Sequence, residues 1–162
     1  MEFRIQPGYA ESAALGALFQ EYTADLLRQK PAFAAYLEQQ SYAWELLHLE
    51  EKYGMPGGRL YLATCETKPV GCIALHKLDA KRCELKRLYV RPAYREWHLG
   101  AALIQRVIDD AKAIGYACIL LDTFPFLVEA IHLYRRLGFY EIERYNDGPM
   151  DDMLYFRLDL QK

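Results

Sequence analysis

The spacing of apolar positions changes period along the chain, and the changes mark its elements. A short N-terminal strand closes at Ile5, before Pro7-Gly8. Leu15, Leu18, Phe19, Tyr22 and Leu26 then recur at helical spacing up to Pro31. Phe33, Leu37, Trp44 and Leu47 continue that spacing in a second helix, which must stop at the loop Gly54-Met55-Pro56-Gly57-Gly58. Beyond the loop the period drops to two. Leu60–Ala63 and Val70–Leu75 flank Glu66-Thr67-Lys68-Pro69 as a hairpin, and Cys83–Val90 completes an antiparallel meander. The second half reads as helix then strand: Leu103, Ile104, Val107, Ile108, Ala111 and Ile114 form a stripe closed by Gly115, and Tyr116–Leu121 is a buried strand. A helix from Pro125 to Leu137 ends at Gly138, and strands Phe139–Arg144 and Met153–Leu160 flank the turn Asn146-Asp147-Gly148-Pro149. The order β-α-α-β-β-β-α-β-α-β-β predicts a mixed α/β (α+β) fold in one domain spanning 1–162, without internal repeats.

Composition narrows the partners more than the fold. The chain has 162 residues, 52% of them hydrophobic and 26% charged, which suits one globular core. A net charge of −2 without an arginine-rich tract lacks the electrostatic footprint of a nucleic-acid binder. No apolar run approaches the ~18 residues of a membrane span, and Met1–Ile5 carries no apolar leader, so a cytoplasmic protein is expected. Cys65, Cys72, Cys83 and Cys118 stand singly among apolar neighbours, which reads as buried reduced thiols with no metal site.

The segment between Val90 and Leu103 carries the chemistry. Gly100, Ala101 and Ala102 open a helix whose first N–H groups lack intrahelical partners and whose dipole attracts an anion, so a pyrophosphate can approach that backbone closely. The Rossmann fingerprint, the P-loop and the G-x-S-x-G elbow are all absent. Leu88-Tyr89-Val90-x-Pro92-x-Tyr94-Arg95-x-x-x-Leu99-Gly100-x-Ala102-Leu103, followed by Ala130-x-x-Leu133-Tyr134-x-x-Leu137-Gly138-Phe139, resembles the GNAT superfamily of acyl-CoA-dependent N-acetyltransferases.

The resemblance covers essentially the whole chain and implies a GNAT-type fold, a central mostly antiparallel sheet flanked by helices. It further implies acetyl-CoA as cosubstrate, held by Leu88, Tyr89 and Val90 on the third meander strand and by the loop Arg95, Glu96, Trp97, His98, Leu99, Gly100 and Ala101. Tyr134 would face the thioester sulfur and protonate the leaving thiolate. Two positions depart from the family pattern: His98 stands where the first loop glycine is usual, and Leu127 where many members carry asparagine.

For the base, the spacing of Glu84 to Arg95 is similar to that of the catalytic glutamate in histone-type members, and period-two alternation puts Glu84, Lys86, Leu88 and Val90 on one face. His76 and His132 are weaker alternatives. Glu45, Glu50 and Glu51 read as a solvated helix face that could also suit a cationic amine. The expected activity is acetyl transfer from acetyl-CoA to a primary amine by direct attack. A non-catalytic acyl-CoA-binding module and a transferase of longer acyl groups stay open as alternatives. The expected partners are acetyl-CoA and an amine acceptor, with a homodimer open and no nucleic acid, membrane or metal.

Overall fold

The computed structural model describes residues 1–148 and 150–160. In chain order they form β1 (Phe3–Pro7), α1 (Ser12–Gln29), α2 (Phe33–Gln39), α3 (Tyr42–Leu47), α4 (Leu49–Tyr53), β2 (Arg59–Cys65), β3 (Lys68–Lys77) and β4 (Arg82–Val90). A 3-10 turn (Pro92–Trp97) then leads to α5 (Leu99–Ile114), β5 (Cys118–Thr123), α6 (Val128–Arg136), β6 (Tyr140–Ile142) and β7 (Leu154–Asp159). The strands build one sheet in the order β1-β2-β3-β4-β5-β7-β6. Every neighbouring pair is antiparallel except β4 and β5.

Both faces of the sheet are covered, which is why Leu60–Ala63 of β2, Val70–Leu75 of β3 and Cys118–Leu121 of β5 are almost continuously apolar. On one face the α5 stripe of Leu103, Ile104, Val107 and Ile108 packs over Ile73, Leu75, Leu85 and Ile119. On the other, Leu15, Leu18 and Phe19 of α1 cover Leu60, Leu62, Cys72 and Ala74. Fully burying each such side chain stabilises the fold by roughly 1.5–3 kcal/mol. No helix among the described residues is long and apolar enough to cross a membrane.

Three local departures from the sequence pattern stand out. The second helix is broken into α2, α3 and α4, with Ser41 at φ 57° between the first two. Trp44 and Leu47 are 43% and 82% exposed, so they do not join the core. Glu45 does, because its carboxylate is anchored by Arg87; with Tyr42 and Leu46 it forms the inner side of α3, which leaves Trp44 and Leu47 outside. The solvated face therefore keeps Glu50 and Glu51 but loses Glu45.

β5 runs two residues further than its apolar stretch, through Asp122 to Thr123. In β4, the step from Tyr89 to Lys86 has one residue more than the opposing step from Cys72 to Ala74 on β3. Arg87, at φ 60°, is the bulge. It breaks the expected alternation: Lys86, Arg87 and Tyr89 reach toward α1–α3, whereas Leu85, Leu88 and Val90 pack toward α5. Finally, of the turn Asn146-Asp147-Gly148-Pro149, Pro149 lies outside the described residues, while the Gly148 N–H bonds Asn146 Oδ1 at 3.2 Å.

Candidate active site

β4 and β5 pair only over Arg82–Glu84 and Cys118–Leu120, after which they diverge. β5 stays with β7 as far as Thr123, so the β5-facing edge of β4 beyond Glu84 has no strand partner. The gap is a cleft of about 700 Å³. Its walls are Leu88, Tyr89 and Val90 from β4, Tyr22 and Leu26 from α1, the start of α5, Leu127, and Val128, Ala130, Leu133 and Tyr134 from α6. Divergence at the carboxyl ends of parallel strands is the ordinary place for a ligand in a sheet of this kind.

Of the ten residues expected to hold a cosubstrate, Leu88, Tyr89, Val90, Arg95, His98, Gly100 and Ala101 line this cleft. Glu96, Trp97 and Leu99 do not: Leu99 is buried in the core, and Trp97 packs its ring 5.9 Å from that of Phe3. Arg95 locks the strand exit, its Nε donating to the Val90 carbonyl at 2.8 Å. His98 sits at φ 58°, the conformation for which glycine is the default, and caps α5 in that strained state. The start of α5, whose first N–H groups lack intrahelical partners, lines the cleft at Gly100 and Ala101. A Cβ on Gly100 would meet Leu133 Cδ2 at 3.3 Å, so the glycine sets how closely α5 and α6 approach across the cleft.

The motif Tyr134-x-x-x-Gly138-Phe139 has a physical reading in the helix end. Gly138, at φ 105°, terminates α6; its N–H bonds the Arg135 carbonyl, and the Phe139 N–H bonds the Tyr134 carbonyl at 3.0 Å. This is the Schellman pattern, and its apolar contact is the pair Tyr134–Phe139, with ring centroids 5.6 Å apart. The Tyr134 ring is thereby fixed, while its hydroxyl makes no hydrogen bond among the described residues. Burial, then the neighbouring Tyr22 and Asp122, push its ionisation well above the ordinary phenol value, so it stays a neutral donor.

Past Tyr134 and Leu127 lies a chamber of about 30 Å³, enough for one small polar group. Asp122 lines it, held by the hydroxyl of Tyr36 and by Asn146 Nδ2 at 2.8 Å. Sequence reasoning missed Asp122, Tyr36 and Asn146. The one available signal was a carboxylate at the carboxyl end of an apolar strand.

Glu84 lies elsewhere. It lines neither the cleft nor the chamber. It accepts from the Tyr145 hydroxyl at 2.5 Å, with Lys86 Nζ at 3.7 Å and His76 Nδ1 at 3.6 Å. Burial raises its carboxyl, but Lys86, His76 and Tyr145 outweigh that and hold it at about 2. His76 faces this cluster and not Tyr134, and His132 is exposed on α6. Beside Glu84, Glu45 accepts from Lys52 Nζ at 2.6 Å, the Tyr53 hydroxyl at 2.8 Å, and Arg87 Nε and Nη2, both at 2.8 Å.

Comparison with known proteins agrees with this architecture. Residues 20–139 match the model of the acetyltransferase (GNAT) family. An uncharacterized N-acetyltransferase of Schizosaccharomyces pombe is 38% identical over 120 residues, covering 73% of this chain and 74% of that protein. In fold, the chain is similar to an acetyltransferase from Streptococcus agalactiae, with TM-score 0.79, 24% identity and 98% of each chain covered. It is also similar to the PaiA N-acetyltransferase of Thermoplasma acidophilum in complex with coenzyme A, with TM-score 0.75, 14% identity, and 98% and 99% of the two chains covered. A match over most of the sequence and a shared fold over nearly all of it have one reading: this chain belongs to the GNAT family of N-acetyltransferases.

Proposed function

We propose that the protein moves an acetyl group from acetyl-CoA to a primary amine by direct attack, with the amine in the chamber beside Tyr134 and Asp122. The observation that carries this reading is that both residues line one small space, which shares Tyr22, Leu26, Leu88, Leu127 and Tyr134 as walls with the larger cleft. The cleft suits the cosubstrate: free N–H groups at the start of α5 for a pyrophosphate, an unpaired strand edge for an extended amide chain, and Leu88 and Leu127 as apolar walls. Acetyl-CoA supplies the thioester carbonyl carbon on which the amine acts.

The chain's own residues then have three tasks. An alkylamine of pKa ~10.4 is neutral in only about one molecule in 10³ at pH 7, so a carboxylate must hold the ammonium and take one proton before the nitrogen forms the N–C bond; the second N–H proton passes to solvent as the C–S bond breaks and the thiolate leaves. Asp122 fits that task, since its partners among the described residues are neutral and it lines the chamber. Glu84 is already neutralised by its own cluster, which makes it a positioning group for Lys86 and Tyr145. Strand N–H groups around Leu88–Val90 polarise the carbonyl, a contribution of roughly 3–4 kcal/mol in comparable oxyanion holes. Tyr134 donates a hydrogen bond to the leaving sulfur. With its own ionisation raised, it does so without surrendering its proton to a thiolate of pKa ~8.5.

The test is CoA release by Asp122→Asn and Glu84→Gln with one fixed amine. Asp122→Asn is expected to lose ten- to hundredfold in kcat/KM while keeping thermal stabilisation by acetyl-CoA, and Glu84→Gln to lose less. The opposite ranking returns the base to Glu84. A protein stabilised by acetyl-CoA but without turnover on any amine is a binding module.

A further inference from the structure

Both hydrogen bonds that Asp122 accepts end on the same oxygen. The Tyr36 hydroxyl and Asn146 Nδ2 donate to Oδ2, and among the described residues no hydrogen bond reaches Oδ1. The terminal torsion of an aspartate is broad and two-fold, so nothing in β5 itself decides which oxygen meets a ligand. The two donors decide it.

Each donor is itself fixed. The Gly148 N–H donates to Asn146 Oδ1 at 3.2 Å, and the Tyr155 hydroxyl reaches the same oxygen at 3.5 Å. An amide whose oxygen is engaged in this way turns its NH2 group to the carboxylate. The Tyr36 ring stacks on Phe33 with centroids 5.6 Å apart, and it lies so close to Gly148 that an added Cβ there would overlap Cε2 of the ring. Gln39 Nε2 donates to the Asp147 carbonyl at 3.1 Å, which ties the same segment to α2.

We infer that Tyr36 and Asn146 are positioning residues for acetyl transfer: they occupy Oδ2 of Asp122, fix the carboxylate and leave Oδ1 to the acceptor ammonium. This rests on the reading of Asp122 as the base and deepens it. The ammonium gives one proton to Oδ1; the O–H bond forms as the N–H bond breaks, and the electron pair stays on nitrogen for the attack on the thioester carbon.

The experiment measures CoA release with acetyl-CoA and one fixed amine for Tyr36→Phe, Asn146→Asp, Asp122→Asn and the double variant Tyr36→Phe/Asp122→Asn. Tyr36→Phe keeps the ring and is expected to lose about tenfold in kcat/KM, the scale of a hydrogen bond to a charged group, while thermal stabilisation by acetyl-CoA is unchanged. Added to Asp122→Asn it should cost nothing further, because it acts through that carboxylate. Asn146→Asp keeps the acceptor for the Gly148 N–H but sets a second carboxylate against Oδ2. Two carboxylates sharing a site hold one proton between them, so the loss relative to wild type should be roughly ten- to hundredfold at pH ~7 and should narrow toward pH ~9. The other titratable and charged groups around Asp122 are Tyr22 of α1, Tyr36 of α2, Glu84, Lys86 and Arg87 of β4, Tyr134 of α6, Tyr145, and Tyr155 of β7. Burial raises each of these phenols, and Glu84 is held at about 2, so a titration that appears with Asn146→Asp belongs to the new pair.

Wild-type kcat/KM in both single variants overturns the inference. So does a Tyr36→Phe loss of equal size with and without the Asp122 carboxylate, or an Asn146→Asp loss that is the same at every pH; either marks a packing role. Should Asn146→Asp not fold, the Tyr36→Phe comparison decides alone. If Asp122→Asn loses activity while Tyr36→Phe and Asn146→Asp do not, the inference fails and the reading of Asp122 stands. If Asp122→Asn keeps wild-type kcat/KM, both fail.

Discussion

Glu45→Gln isolates the buried ion cluster that ties α3 to β4. The wild-type carboxylate is fully buried and receives four hydrogen bonds, two of them from Arg87. Glutamine keeps the shape but leaves Arg87 and Lys52 without a counter-charge. Removing one partner of a buried pair costs about 3–5 kcal/mol, a large share of the ~5–15 kcal/mol total of a domain. The acid dependence follows from the same contacts. Burial raises the Glu45 carboxyl, but Arg87 and Lys52 outweigh that and hold it at about 2. A carboxyl depressed on folding contributes stability that is fully present above its unfolded value of ~4.3 and is lost as pH falls toward about 2. Between pH 7 and pH 3 wild type therefore loses roughly 2 kcal/mol through this group, and Glu45→Gln does not. The penalty of the substitution should narrow by that amount. Urea unfolding followed by tryptophan fluorescence at the two pH values measures both. A penalty below ~1 kcal/mol at pH 7, or one that is the same at pH 3, refutes the reasoning.

Tyr134→Phe keeps the Schellman contact with Phe139 and removes only the hydrogen-bond donor to the leaving sulfur, so kcat for CoA release should fall roughly tenfold to a hundredfold with Tm little changed; wild-type kcat would reduce Tyr134 to a packing residue. His98→Gly relieves a left-handed residue, a strain of ~1–2 kcal/mol partly offset by ~0.5–1 kcal/mol of added chain entropy. The expected gain is about 0.5–1 kcal/mol, or about 2 °C in Tm, and a lower Tm would show that the imidazole contributes contacts of its own. Gly100→Val narrows the approach of α5 to α6 and should remove the Tm increase caused by acetyl-CoA while the protein stays folded; an undiminished increase would place the cosubstrate away from this helix end.

Where an element's burial follows from local periodicity, the sequence alone was sufficient. The α5 stripe, the meander strands and the Gly138 helix stop are set by contacts a few residues apart, and each recurs in the structure within a few positions. The two family motifs were readable for the same reason, since a helix start and a helix end are local features.

Tertiary structure decided what depends on distant partners. Glu45 reads as solvated until Arg87, from a strand far along the chain, meets it. A strict period of two puts Lys86 and Leu88 on one face; the bulge at Arg87, whose guanidinium is bonded to Glu45 from a distant helix, sends them to opposite faces. Asp122 looks like the polar residue that ends a strand. It becomes a chamber wall only because β4 and β5 part after three paired residues, so that α2 and the 145–146 segment bring Tyr36 and Asn146 to it. Periodicity records which side of an element is buried. It carries no information on where two neighbouring strands separate, and that separation makes the site.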